Sequence, residues 1–277
     1  MQSIIKNLKY FIRKITASRI TAYSAQTAYF MFLSIIPLIM LLLSLLNQLG
    51  ADAEAIASSV HDLAPDFLYS FLDNYIEEII NDGRMSLTIV SALVLLWSAS
   101  KGVFAIIGGL NSVYEIKENR NYFLIRLLAM LYTFLLIIIV IGVLLIMVFG
   151  HTLNNLLTSL FPNLKGLVYI ISSLRFILGF LVLVLFFTLL YKSLPNRKMK
   201  LLDQLPGAVI AGAGWVSFSF LFSFFIDNFS NYANIYGSLT AIIVLLLWLY
   251  ICMYIMFIGA EINCILSSKS YVSKDEN

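Results

Sequence analysis

The chain has 277 residues, of which 61% are hydrophobic and only 12% charged, with a formal net charge of +3. A soluble domain carries about 45–50% apolar and about 25% charged residues, so this composition excludes an ordinary soluble fold and fits a chain solvated by lipid. Two cysteines and two histidines leave little material for a disulfide framework or a metal centre.

The first twenty residues, MQSIIKNLKYFIRKITASRI, are too charged for a cleavable signal peptide. Ile4, Leu8, Phe11, Ile12 and Ile15 share one helical face, while Lys6, Lys9, Arg13 and Lys14 lie off it. This pattern predicts a cytoplasmic interfacial helix over 1–20, with anionic lipid head groups as its partners. A purely topological role for the basic residues stays open beside it.

Six stretches meet the requirement of about 20 apolar residues for a spanning helix: roughly 28–49, 86–108, 123–150, 167–191, 205–226 and 237–266. They are continuous rather than alternating, which indicates helices and not barrel strands. The predicted fold class is all-α, a polytopic membrane protein. One six-span domain covers 21–267 and a cytoplasmic tail covers 268–277. Between spans 1 and 2, about 52–82, apolar residues recur at helical spacing among acidic ones. Pro65 suits the first turn of a second helical piece there. The expectation is an external amphipathic helical hairpin, either a cap on the bundle or a surface for gating or partner docking.

Basic residues set the direction. Lys and Arg crowd the N-terminus, the second connection (Lys117, Arg120, Arg126), the fourth (Lys192, Arg197, Lys198, Lys200) and the tail, whereas the odd connections hold only Arg84 and Lys165. Both termini are therefore expected in the cytoplasm.

Ionisable groups inside a span cost about 2.5–3.5 kcal/mol each on insertion scales, and they usually pair or face the interior. With the helix directions assigned, Gln26, Tyr29, Lys101, Asn111, Glu261 and Asn263 fall near one level in the cytoplasmic half. Lys101 and Glu261 are of opposite charge and natural partners, so Glu261 is expected to be paired by Lys101 or by Gln26, Tyr29 and Asn263. The cluster either locks three helices together or lines a cavity open to the cytoplasm. Arg175 belongs to the outer half, where it snorkels outward or meets Asp227. Pro37 is expected to kink the first span. Gly207, in GAVIAGAG, has the small-xxx-small spacing that lets helices approach closely, and Gly102, Gly108 and Gly109 offer similar packing or flexible points. Cys252 and Cys264 would stand roughly 18 Å apart on one helix, too far for a disulfide, and read as small buried residues.

No Walker-type loop, HExxH motif, metal cluster or Ser/His/Asp set is present in the sequence. The chain is therefore read as no enzyme, with no metal and no cofactor.

The blocks AQTAYFMFLSIIPLIMLLLSLL, LWSASKGVFAIIGGLNSVY, YGSLTAIIVLLLWLY and FIGAEIN, in this order and spacing, resemble the YihY/BrkB family of bacterial inner-membrane proteins. The resemblance runs from about residue 20 to 266. It implies a six-span helical protein of the bacterial inner (plasma) membrane, and it marks Gln26, Tyr29, Pro37, Lys101, Asn111, Gly237 and Glu261 as family-like positions. It also brings an old ribonuclease label, which the absence of clustered His and Asp ligands argues against, and a suspicion of lipid export or flipping. The basic loops are short and serve topology, so no nucleic acid partner is expected.

These readings converge on a transporter not driven by ATP. Its cargo would be an amphiphile, such as a phospholipid or lipid-linked precursor, or a small solute, moving through the polar cavity. The alternative is a membrane scaffold for envelope integrity that docks a partner through the external hairpin. A homo-oligomer through the small-residue faces is compatible with both.

Overall fold

The computed structural model describes residues 13–48, 85–138, 175–228 and 239–275, and the regular elements among them are helices. The hairpin expected at 52–82, the interfacial helix before Arg13, residues 139–150 and 167–174 of the expected spans, and Gly237 lie outside the described residues.

Two interruptions shape the N-terminal part. A helical stretch over 13–17 ends at Ser18, whose N–H donates to the Lys14 carbonyl at 2.9 Å. Arg19 then takes φ 53° and ψ 33°, the left-handed conformation, and turns the chain into α1 (Ile20–Leu33). α1 stops at Ser34, where Oγ donates to the Met31 carbonyl at 2.6 Å, and α2 (Ile35–Gln48) follows. Pro37 has no N–H to offer the Leu33 carbonyl, and its ring crowds that group, so an unbroken helix would be strained there. Among the described residues the first apolar helical run is Ile20–Ser44. Ser24, Thr27 and Ala28 are buried within it.

α3 (Met85–Val113) ends in a two-bond cap. The Ile116 N–H donates to the Asn111 carbonyl at 2.8 Å and the Glu115 N–H to the Ser112 carbonyl at 3.2 Å. Glu115 sits at φ 55°, where such caps usually carry glycine. α4 (Tyr122–Ile138), α5 (Arg175–Ser193), α6 (Leu201–Asn228) and α7 (Leu239–Asp275) complete the described elements.

Among the described residues, four helical runs are long and apolar enough to cross a membrane: Ile20–Ser44, Ile89–Val113, Leu201–Ile226 and Ile242–Ser267. Tyr122–Ile138 and Gly179–Ser193 are shorter apolar helices. α1 packs on α3 and α7, α6 on α5 and α7, and α2 on α3. Leu110, Val113, Tyr191, Leu194 and Phe257 are buried where α3, α5 and α7 meet. Outward-facing positions are also apolar, with Phe123, Leu202 and Phe220 at 78%, 74% and 73% exposure. Apolar surface on both sides suits helices solvated by lipid, whose mutual attraction comes from close packing and polar contacts.

The closest approach is between α6 and α7. A Cβ on Gly207 would run into the Gly259 carbonyl oxygen, and one on Gly259 would stand 2.6 Å from the Gly207 carbonyl oxygen. Gly212 instead faces Val184 and Phe180 of α5, at 3.2 and 3.3 Å from the position of an added Cβ. GAVIAGAG thus serves two neighbours, one through each face.

Candidate functional site

One group of polar side chains gathers at an end of the bundle formed by residues 13–19, the 114–121 loop, the 194–200 loop and the last turns of the α7 apolar run. Glu261 is fully buried there. Lys14 Nζ stands 3.4 Å from its Oε1, and the Ser18 hydroxyl donates to its Oε2 at 3.2 Å. The approach of Lys14 lacks hydrogen-bond alignment, so Oε1 is ion-paired without a hydrogen-bond donor. Lys14 Nζ also donates to Cys264 Sγ at 3.1 Å and lies 4.0 Å from the exposed Glu115 carboxylate.

This corrects one expectation. Glu261 is paired with Lys14 and not with Lys101, whose ammonium instead lies 5.5 Å from the centre of the Phe30 ring. The Lys14 side chain is only 12% exposed. The turn at Arg19 brings Lys14 there, by folding the 13–17 stretch back against α7.

Asn263, two residues beyond Glu261, closes the α6–α7 contact. Its Oδ1 accepts from the Gly207 N–H at 2.7 Å, and its Nδ2 donates to the Gln204 carbonyl at 3.0 Å. The Tyr114 hydroxyl donates to Gln204 Oε1 at 2.7 Å, and burial holds its phenol well above the ordinary range. The Tyr191 hydroxyl donates to the Met256 carbonyl at 2.6 Å, tying α5 to α7.

Asn111 joins two loops. Its Nδ2 donates to Glu118 Oε2 at 2.6 Å, and its Oδ1 accepts from the Asn196 N–H at 2.9 Å. Arg120 donates to both Glu118 oxygens, at 2.8 and 2.6 Å, and to the Leu194 carbonyl at 3.1 Å. The hydrogen bonds from Arg120 hold the Glu118 carboxyl below the usual carboxylate range. A cleft of about 400 Å³ opens beside this knot, lined by Tyr23, Phe104, Gly108, Asn111, Ser112 and Glu118, among others.

The six cavity candidates are thus not brought into one pocket. Glu261, Asn263 and Asn111 lie at one end but contact different partners. Gln26 is exposed, Tyr29 is 53% exposed, and Lys101 belongs to the α1–α3 contact. Arg175 opens α5 and Asp227 is next to the last residue of α6. Pro37 is buried one turn beyond the Ser34 break. Gly102 packs near Met31 and Phe30, while Gly108 and Gly109 admit Tyr23 and Phe257. Lys14, Ser18, Gln204 and Glu118 went unassigned to the site by sequence reasoning. Level-matching Lys14 to Glu261 through the topology would have singled out that cation.

Among the described residues no group of three or more His, Cys, Asp and Glu side chains could hold a metal ion. Cys252 and Cys264 are free thiols.

An all-helical bundle with apolar surface outside and a few satisfied polar groups inside defines a multi-pass membrane protein. The virulence factor BrkB family matches residues 11–277, and the chain belongs to it. The ribonuclease-like protein YfkH of Bacillus subtilis is 32% identical over 98% of each chain. The UPF0761 membrane protein VSAL_I2938 of Aliivibrio salmonicida is 30% identical over 92% of this chain and 82% of its own length. A UPF0761 membrane protein of Vibrio parahaemolyticus, VP0125, is 25% identical over 99% and 86%. No solved structure matches the chain.

Proposed function

We propose that this chain is a six-span protein of the bacterial inner membrane, with both termini cytoplasmic, that moves an amphiphile or small solute without nucleotide hydrolysis. The observation that carries this reading is the buried Lys14–Glu261 pair, linked by hydrogen bonds through Ser18 to a residue that lines the cleft. The Ser18 hydroxyl bonds Glu261, and the Ser18 carbonyl accepts from Ser112, which lines the cleft. The pair therefore communicates with the cleft through one residue. Lys14 rides on a short stretch joined to α1 by the left-handed Arg19. A swing at that joint breaks the pair without unfolding a long helix. An anionic group entering the cleft would compete for Lys14, and a proton on Glu261 would release it. Either event couples cargo or a proton gradient to the position of the N-terminal stretch.

The test is lipid translocation in liposomes holding the full chain, with head-group-labelled anionic and zwitterionic lipids, with and without a proton gradient. Wild type is compared with Glu261→Gln and Lys14→Met, each checked for folding. Protein-dependent flipping that disappears in the folded variants supports transport of lipid. Absence of flipping under both conditions rejects it.

A second reading, a membrane scaffold, has its own support. Asn263, Asn111 and Tyr114 are spent on contacts between elements, as helix locks would be. In that case a partner would dock through the acidic 66–82 segment, and crosslinking from that segment would capture it.

A further inference from the structure

Among the described residues, two cations on the apolar helices have no carboxylate beside them. Lys101 of α3 places its ammonium 5.5 Å from the centre of the Phe30 ring. Arg126 of α4 places its guanidinium carbon 4.5 Å from the centre of the Trp97 ring, and its Nη2 donates to the Trp97 carbonyl at 3.2 Å. The Arg126 Nε is buried with no hydrogen-bond partner. Among the described residues, the ion pairs involve Lys14 and Arg120, and neither Lys101 nor Arg126 joins one.

These cations belong to one stripe. Trp97 and Lys101 are four apart on α3 and so share a face, and Phe104 continues it one turn on. Phe104 meets Tyr122 at the start of α4, with ring centres 6.0 Å apart. The stripe is open on its Trp97 side: Trp97, Leu93, Val94 and Leu127 are all exposed. Depth follows from the helix rise of about 1.5 Å per residue. Along the Ile89–Val113 run, Trp97 lies roughly 12 Å from one end and roughly 24 Å from the other. Arg126, bonded to its carbonyl, is therefore within the hydrocarbon depth of about 30 Å.

An ionised side chain at such depth costs about 2.5–3.5 kcal/mol on insertion scales. A ring face offsets about 0.5–2 kcal/mol. Neither cation joins an ion pair among the described residues, so each is left without a counter-anion there. The anion available to an outward, apolar-rimmed face in a membrane is a lipid phosphate. Guanidinium and ammonium groups both bind phosphate, the first through its planar fork.

We infer that Lys101 and Arg126 form a binding site for the phosphate of an anionic phospholipid, entered sideways from the membrane past Trp97. This rests on the membrane-spanning reading above and deepens it by giving the lipid class. The site exists whether or not the bound lipid is moved.

The test is a titration of the detergent-solubilised full chain with phosphatidylglycerol, read by native mass spectrometry. Parallel arms use phosphatidylcholine and inorganic phosphate. Arg126→Gln is expected to weaken phosphatidylglycerol binding about tenfold, the worth of one charge-assisted bond, and Lys101→Met combined with it to abolish saturable binding. Arg126→Lys, which keeps the charge, should retain most of the affinity and guards against a folding artefact. Lys192→Gln with Lys198→Gln, both exposed on the 192–198 segment, should leave it unchanged. Unchanged phosphatidylglycerol binding in the folded double variant overturns the site. So does an equal loss in the loop control, or phosphatidylcholine bound as tightly as phosphatidylglycerol. Displacement of the lipid by equimolar inorganic phosphate overturns the assignment to lipid. Phosphatidylglycerol binding without translocation would fail the transport reading alone. Translocation with unchanged binding in the double variant would fail this site alone.

Discussion

Lys14 Nζ and Glu261 Oε1 lie 3.4 Å apart, joining the N-terminal stretch to the last helix across the whole length of the chain. Glu261 is completely shielded, and the Lys14 side chain nearly so. Breaking a buried pair by removing one partner costs about 3–5 kcal/mol, whereas replacing both by apolar groups is close to neutral. Lys14→Met should therefore lower stability by about 3 kcal/mol. Lys14→Met with Glu261→Leu should recover most of that. Thermal unfolding in detergent micelles measures both. If Lys14→Met unfolds like wild type, the pair does not hold the N-terminal stretch.

The helices were legible in the sequence, and the partners were not. Runs such as Ile242–Ser267 announce themselves by length and hydropathy, and the depth of Glu261 followed from its place in that run. Its partner depended on Arg19, a residue with no intrinsic preference for the left-handed conformation that turns Lys14 inward. Lys101 was the nearest opposite charge by level. Level alone does not say which face of α3 a residue occupies, and Lys101 faces α1. The small residues of GAVIAGAG signalled close packing, but the Asn263 bond that seals it involves a backbone N–H, which no side-chain pattern reveals. The Asn111–Glu118 bond was within reach, since the two residues flank a single helix cap.

Gly207 and Gly259 set the distance between α6 and α7. A methyl group on Gly207 meets backbone, which cannot rotate away as a side chain can. Gly207→Ala should cost about 1–3 kcal/mol through overpacking, and more if the Asn263 bond to its N–H is lost with it. Gly179→Ala is the matched control, because an added Cβ there meets nothing within 4 Å. It should be neutral or stabilising by up to about 1 kcal/mol, the helix-propensity gain. Equal unfolding temperatures for the two variants would refute the contact.

Glu118 makes the loop knot sensitive to acid. Its carboxyl is held below the usual range by hydrogen bonds from Arg120, so the folded state binds that proton less readily than the unfolded chain. The sign follows from linkage. The contribution is fully present above the unfolded value of about 4.3 and is lost as pH falls through the lower folded value. The stability difference between wild type and Glu118→Gln should be constant above about pH 5.5 and shrink below about pH 4. A difference that grows on acidification would contradict the assignment.

Glu115 occupies a position built for glycine. It follows α3 at φ 55°, inside a cap whose two backbone bonds are made by Ile116 and Glu115. An L-residue in this conformation carries a steric penalty of about 1–2 kcal/mol, which glycine escapes. Glycine also loses more backbone freedom on folding, which takes back part of the gain. The Lys14 contact of Glu115, at 4.0 Å on an exposed carboxylate, adds little against this. Glu115→Gly should accordingly raise stability, by about 0.5–1 kcal/mol, without disturbing the Lys14–Glu261 pair. Glu115→Val, β-branched and intolerant of positive φ, should lower it. Both are read from unfolding midpoints in the same detergent. A stabilising valine, or a destabilising glycine, would mean that the α3 cap is not left-handed at this residue.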